Sequence, residues 1–172
     1  MARWESADFE RVNGLGPAKA AELAAAMELA RRIRERDHDP GDKLDTPTKV
    51  WSRLEPLSSS LSVEKCWVLC LNRRNRLITI QEVSSGTATS SLLHPREVFR
   101  QALRYAAPAA IVAHNHPSGD PSPSSADRAV TRQLVEAGRV IGVELLDHVI
   151  IGRPESDPTG KGWFSFGEAG LI

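Results

Sequence analysis

The chain has 172 residues, 41% hydrophobic and 26% charged, the balance of a soluble globular protein with room for one ordinary domain and a small appendage. Its 22 basic and 22 acidic side chains cancel, which removes any whole-molecule pull toward nucleic acid or anionic membrane. No apolar run approaches the roughly 20 residues of a membrane helix, and MARWESADFE lacks a basic-then-apolar leader, so the expected location is cytoplasmic.

Residues 6–36 read as helix, tight turn, helix. Ser6 can cap a short first helix over Ala7–Val12, Gly14-Leu15-Gly16 makes the turn, and Pro17 opens the second helix. Leu23, Met27, Ala30 and Ile33 then recur at helical spacing. The polar stretch RERDHDPGDKLD reads as a linker, with residues 1–40 as one unit, 41–46 as connection and 47–172 as the main domain.

Helix is expected over Pro47–Leu57. Lys65–Leu71 and Leu77–Val83 read as strands joined by the polar turn Asn72–Arg76. Cys66 and Cys70 share a face of the first strand about 13 Å apart, too far for a bridge. They read as small buried hydrophobes in a strand apolar on both sides. Ser84–Ser91 reads as a loop, Pro95–Tyr105 as a helix, and Ala109–Ala113 as a short buried strand. Pro117–Pro123, with three prolines and a glycine, is a loop of restricted freedom. Ser125–Ala137 is expected to be a helix closed by Gly138. Strands follow over Val143–Ile151 and Trp163–Phe166. The fold class is α/β (α+β), mixed strands and helices around one sheet.

The run HNHPSGDPSPSSAD concentrates the chemistry. His114 and His116, one residue apart at a strand end, point to the same side. Asp127 follows eleven residues after His116, at the start of a helix. Two imidazoles and a carboxylate suit Zn2+ with one position open for a water that ionises near neutral pH. A plainer role coexists: Ser124 and Asp127 have the spacing of a capping box. Histidines at strand ends also often serve backbone groups only. The four positions together favour the metal.

The spacing H-x-H, seven residues, S, two residues, D resembles the signature of the JAMM (MPN-positive) metalloproteases, here His114, His116, Ser124 and Asp127. Asn115, where that family often has serine or threonine, and the run HNHPSGDPSPS are similar to the RadC branch. So are RLITIQEVSSGT, HPREVFRQAL, RQLVEAGRVIGVELLDHVIIG and FSFGEAGLI, so the resemblance covers roughly residues 46–172. RadC proteins usually carry more chain ahead of the helix-turn-helix unit, and this sequence reads as a short or trimmed member.

The resemblance implies an MPN/JAB-type mixed sheet flanked by helices and an amide-cleaving zinc metallopeptidase or isopeptidase. His114, His116 and Asp127 would hold the metal. Ser124 would donate to the oxyanion or the water. The family also requires an upstream glutamate as general base. Glu82 in ITIQEVSSGT is preferred, with Glu64, which also precedes a strand, as its competitor. Asn115 should point away from the metal. His148 and Asp147 in LLDHVII read as ordinary polar contacts, with support of a metal ligand as the alternative. His94 and His38 receive no role.

Gly14-Leu15-Gly16 with Lys19 and Ala20 resembles a helix-hairpin-helix DNA-binding motif, whose backbone N–H groups face a phosphate. Residues 1–40 hold seven basic and eight acidic side chains, so only Arg31–Arg36 forms a local patch. A weak DNA contact and a packing or protein-contact element stand equally for this unit. The rival reading of the whole chain is a DNA-associated, repair-linked protein whose metal domain is structural or inactive. The expected substrate of the first reading is a peptide, isopeptide or other amide.

Overall fold

A computed structural model describes residues 8–9, 11–12, 14–38, 41–85 and 93–172. The chain divides into two units, Met1–Pro40 and Gly41–Ile172. Among the described residues no helix is long and apolar enough to cross a membrane.

In the first unit Gly14 turns the chain at φ 92°, a left-handed conformation that costs glycine little. Helix α1 then runs from Pro17 to His38, with proline in the first turn where a missing N–H is harmless. Ala20 closes the first helical bond onto the Gly16 carbonyl at 3.0 Å and is fully buried. The helix therefore continues through residues expected to begin the linker. Leu23 and Met27, expected on a buried face, are exposed at 40% and 43%. The Ser6 cap and the side chains of Ala30, Ile33 and Arg31–Arg36 lie outside the described residues, as does the loop over 86–91.

The second unit begins where a linker was expected, and the difference has a packing cause. Leu44 is buried, its N–H donates to the Asn75 carbonyl at 2.9 Å, and the Leu77 N–H donates to the Asp42 carbonyl at 3.1 Å. Residues 42–44 are thus bonded onto the sheet. Helix α2 (Pro47–Ser58) follows, with the Thr46 hydroxyl accepting from the Lys49 N–H. Strands β1 (Lys65–Leu71) and β2 (Leu77–Ser85), helix α3 (Pro95–Arg104) and strand β3 (Ala109–Asn115) come next. Helix α4 (Ser125–Ile141), strand β4 (Glu144–Ile151), a 3-10 turn at Pro154–Ser156 and strand β5 (Trp163–Ser165) complete it.

Among the described residues, five strands form one mixed sheet in the order β2-β1-β3-β4-β5. Only β3 and β4 run parallel, joined through α4; the other pairs are antiparallel. Side chains alternate across the central strands and fill two cores. Cys66, Val68, Cys70, Ala110 and Val112 pack with Val98 and Phe99 of α3 and Leu134 of α4. Trp67, Leu69, Leu71, Ile111 and Ala113 pack with Val50 and Leu54 of α2. Burial on both faces explains why β1 and β3 carry uninterrupted apolar runs. The two cysteines are free and buried as expected, and burial pushes the Cys70 thiol up to about 11.

Helix α4 does not end at Gly138. It runs to Ile141 and is closed by Gly142, left-handed at φ 77°. Gly138 serves packing instead: a Cβ there would stand 2.6 Å from the Val143 carbonyl oxygen and 3.1 Å from the Phe99 ring. Two glycines four residues apart look alike in a sequence; only close approach distinguishes them.

Candidate metal centre

The centre lies where the end of β3 meets the start of α4. His114 and the residues two and four before it face the α3/α4 side of the sheet, so its ring is directed toward the helix N-terminus. Ser124 caps that helix. Its hydroxyl accepts from the Asp127 N–H at 3.1 Å, and the Asp127 carboxylate accepts from the Ser124 N–H at 2.8 Å. The same hydroxyl donates to Asp127 Oδ2 at 2.6 Å. The capping box is therefore real, and it also fixes Asp127 so that the carboxylate turns back toward the strand.

The donor atoms converge. His114 Nε2 and His116 Nε2 are 3.1 Å apart. Asp127 presents Oδ1 to His114 at 3.3 Å and Oδ2 to His116 at 3.7 Å. Glu64 Oε1 stands 3.5 Å from His114 Nε2. One donor atom from each of these four residues lies within 4.8 Å of the others. Ligands at about 2.0–2.1 Å from a tetrahedral zinc are separated by about 3.3 Å, so the spacing suits such an ion.

Proton accounting supports the fit. His116 Nδ1 lies 2.8 Å from the Asp120 carbonyl oxygen, which can only accept, so Nδ1 carries the hydrogen of the neutral ring. His116 Nε2 then offers a lone pair beside a second imidazole nitrogen and a carboxylate. Such an electron-rich hollow calls for a cation, whether protons or a metal. Burial works against protonating His116, but Asp127 and the Asp120 carbonyl outweigh it and raise its pKa. Burial likewise works against ionised Asp127. When the hollow holds protons rather than a metal, hydrogen bonds from His114 and His116, the His114 charge and Ser124 hold it well below the usual carboxylate range.

Glu82 does not reach this hollow, contrary to the expectation. It pairs across the ladder with Trp67, whose side chain packs on the α2 side, whereas His114 pairs with Cys66 on the α3/α4 side. Its carboxylate instead meets Lys65 Nζ at 3.0 Å. Glu64, the competitor, is the glutamate in the cluster. Antiparallel pairing sets the start of β1 beside the end of β3, and Glu64 shares the face of Cys66. Asn115 points away from the donors, as expected, and grips the backbone on both sides of Glu64. Its Oδ1 accepts from the Lys65 N–H at 2.8 Å and its Nδ2 donates to the Val63 carbonyl at 3.2 Å.

His148 exceeds the plain polar contact preferred for it. It is fully buried, and its Nε2 lies 2.9 Å from His114 Nδ1. Burial lowers its pKa well below the ordinary imidazole value. Thr131, to which the sequence reading gave no role, sits 2.7 Å from His148 Nδ1. One signal could have found it: Thr131 lies four residues after Asp127 and so on the same helix face. Asp147 turns elsewhere, to Ser165 Oγ at 2.6 Å and the Gly167 N–H at 2.8 Å. His94 caps α3, accepting from the Arg96 N–H.

A family model described as RadC-like JAB domain matches residues 44–171. Among curated proteins, the UPF0758 protein STH371 of Symbiobacterium thermophilum is 47% identical over 163 residues, covering 95% of this chain and 66% of its own length. A UPF0758 protein of Methanosarcina mazei is 44% identical over 142 residues, with coverages of 83% and 62%. One from Syntrophotalea carbinolica is 39% identical over 172 residues, with coverages of 100% and 73%. The chain thus spans less than two thirds of the length of the first two relatives, and these names state no activity.

Proposed function

This chain belongs to the RadC-like JAB-domain family, and from that premise we propose that it is a zinc-dependent hydrolase of JAMM type that cleaves an amide bond in a peptide, isopeptide or related substrate. One observation carries the reading: two imidazoles and two carboxylates from three separate segments aim their donor atoms at one hollow.

His114, His116 and Asp127 would hold the ion. When bound, zinc polarises a carbonyl and brings the pKa of a water it holds to near 7. Glu64, one third exposed and held through its neighbours by Asn115, accepts the proton of the attacking water at its carboxylate and returns it to the leaving amine. Ser124 keeps Asp127 oriented, and its hydroxyl is available as an oxyanion donor once released from Oδ2.

The position of Glu64 also favours a second reading, a structural site in which Glu64 is the fourth ligand and no hydrolysis occurs. Metal analysis and an activity screen separate the two. The wild type should carry one zinc equivalent and hydrolyse at least one member of a panel of fluorogenic peptide and isopeptide amides, with a chelator abolishing turnover. His114→Ala should lose most of its zinc. A variant that keeps a full equivalent would show the ligand assignment to be wrong.

A further inference from the structure

His148 lies in β4 within the apolar run LLDHVII and is fully buried. A buried imidazole needs partners at both nitrogens, and both partners lead to the metal centre. Nε2 is 2.9 Å from His114 Nδ1, and Nδ1 is 2.7 Å from Thr131 Oγ1. Thr131 Oγ1 lies in turn 2.6 Å from the backbone carbonyl oxygen of Asp127. Phe166 stacks on the His148 ring, centroids 4.8 Å apart and planes 7° from parallel, which fixes the ring plane.

The direction of every hydrogen bond in this line follows from its last member. A carbonyl only accepts, so the single hydroxyl hydrogen of Thr131 goes to the Asp127 oxygen. Thr131 Oγ1 can then only accept from His148, so His148 Nδ1 carries a hydrogen. A neutral imidazole has one N–H, which leaves His148 Nε2 with a lone pair. That lone pair accepts from His114 Nδ1–H. In the neutral ring that binds a metal His114 Nε2 is then the bare nitrogen, and it faces Glu64, His116 and Asp127.

The geometry points to His148 and Thr131 as positioning residues that hold His114 in the Nδ1–H tautomer, with Nε2 presented to the metal. The inference rests on the zinc reading above. The two ligand histidines are oriented by different means. His116 leans directly on the Asp120 carbonyl, whereas His114 is held through two side chains. The second line ends on the carbonyl of Asp127, another ligand residue, so strand and helix ligands share one network. Partners of this kind orient a ligand ring and raise its basicity.

The test reads the tautomer itself. Long-range 15N–1H correlation spectra of the zinc-free wild type at pH 8 should show His148 hydrogenated at Nδ1 and bare at Nε2, and His114 hydrogenated at Nδ1. Either ring hydrogenated at Nε2 instead overturns the inference. Thr131→Val keeps the shape but removes the acceptor, while Thr131→Ser restores it. Zinc affinity, measured by competition with a chromophoric chelator, should fall about 10–100-fold in Thr131→Val and stay near wild type in Thr131→Ser. Thr131→Val with a lowered melting point but unchanged zinc affinity and His114 tautomer would reduce Thr131 to a packing role and overturn it. A wild type that takes up no zinc would refute the metal reading, and the ring spectra would still decide the hydrogen-bond line.

Discussion

Glu64→Gln separates the hydrolytic reading from the structural one. Glutamine keeps the size and planarity of the side chain but cannot take up a proton at the water. General-base transfer is typically worth 10²–10⁴-fold, so at about 1.4 kcal/mol per tenfold the barrier should rise by roughly 3–5 kcal/mol. The matched control is Glu82→Gln. Its ion pair with Lys65 is 3.0 Å long but lies at the surface, with side chains 27% and 41% exposed. Solvent-screened pairs of this kind contribute at most about 1 kcal/mol, and Glu82 faces the α2 side of the sheet. The assay is paired: zinc equivalents by atomic absorption and turnover of the amide found in the screen. Glu64→Gln should keep its zinc and lose turnover; Glu82→Gln should keep both. Loss of zinc from Glu64→Gln would establish it as a fourth ligand and favour the structural site. Full turnover in Glu64→Gln, or its loss in Glu82→Gln, would refute the placement of the base.

Three other measurements bear on the site and on the first unit. Ser124→Ala should destabilise the protein by about 0.5–2 kcal/mol through loss of the cap and lower turnover by roughly 10²–10³-fold if the hydroxyl serves the oxyanion; a lower melting point with normal turnover leaves only the cap. The raised pKa of His116 makes its proton compete with zinc. In the zinc-free protein, the stability from that proton is fully present below the unfolded imidazole value of about 6.5 and is lost as pH rises through the higher folded value. Zinc affinity should therefore climb through that same window, and a flat profile between pH 6 and 8 would contradict the linkage. For the first unit, any DNA contact through Gly14–Gly16 and Arg31–Arg36 should be weak and sequence-independent. It should fade with salt at a shallow slope, each phosphate contact contributing about −0.9 on logarithmic axes. Tight binding to labelled duplex that survives high salt would bring the DNA-associated reading forward.

The sequence by itself determined the parts of this protein that depend on local pattern. Apolar runs marked β1 as a strand apolar on both faces and β3 as a short buried strand, and β1 has the bounds read for it. Ser124 and Asp127 were legible both as a capping box and as part of a metal motif, and the structure shows that one set of bonds does the capping while aiming the carboxylate. The H-x-H spacing put His114 and His116 on one side because strand geometry allows nothing else. Register and close packing belonged to the tertiary structure. Which glutamate reaches the hollow depends on β1 lying antiparallel beside β3, and on Glu82 being paired with Trp67 rather than with a residue on the histidine face. The β3/β4 pairing, which sets Val112 opposite His148, brings a histidine from a distant strand against His114. Gly138 gave up its expected capping role to Gly142 because the approach of Phe99 and the Val143 carbonyl to Gly138 is a fact of packing. Residues 42–44 became part of the sheet unit because their backbone found partners at Asn75 and Leu77. Spacing along one segment is fixed by bond geometry, whereas contact between segments far apart in the chain is fixed only when the sheet closes.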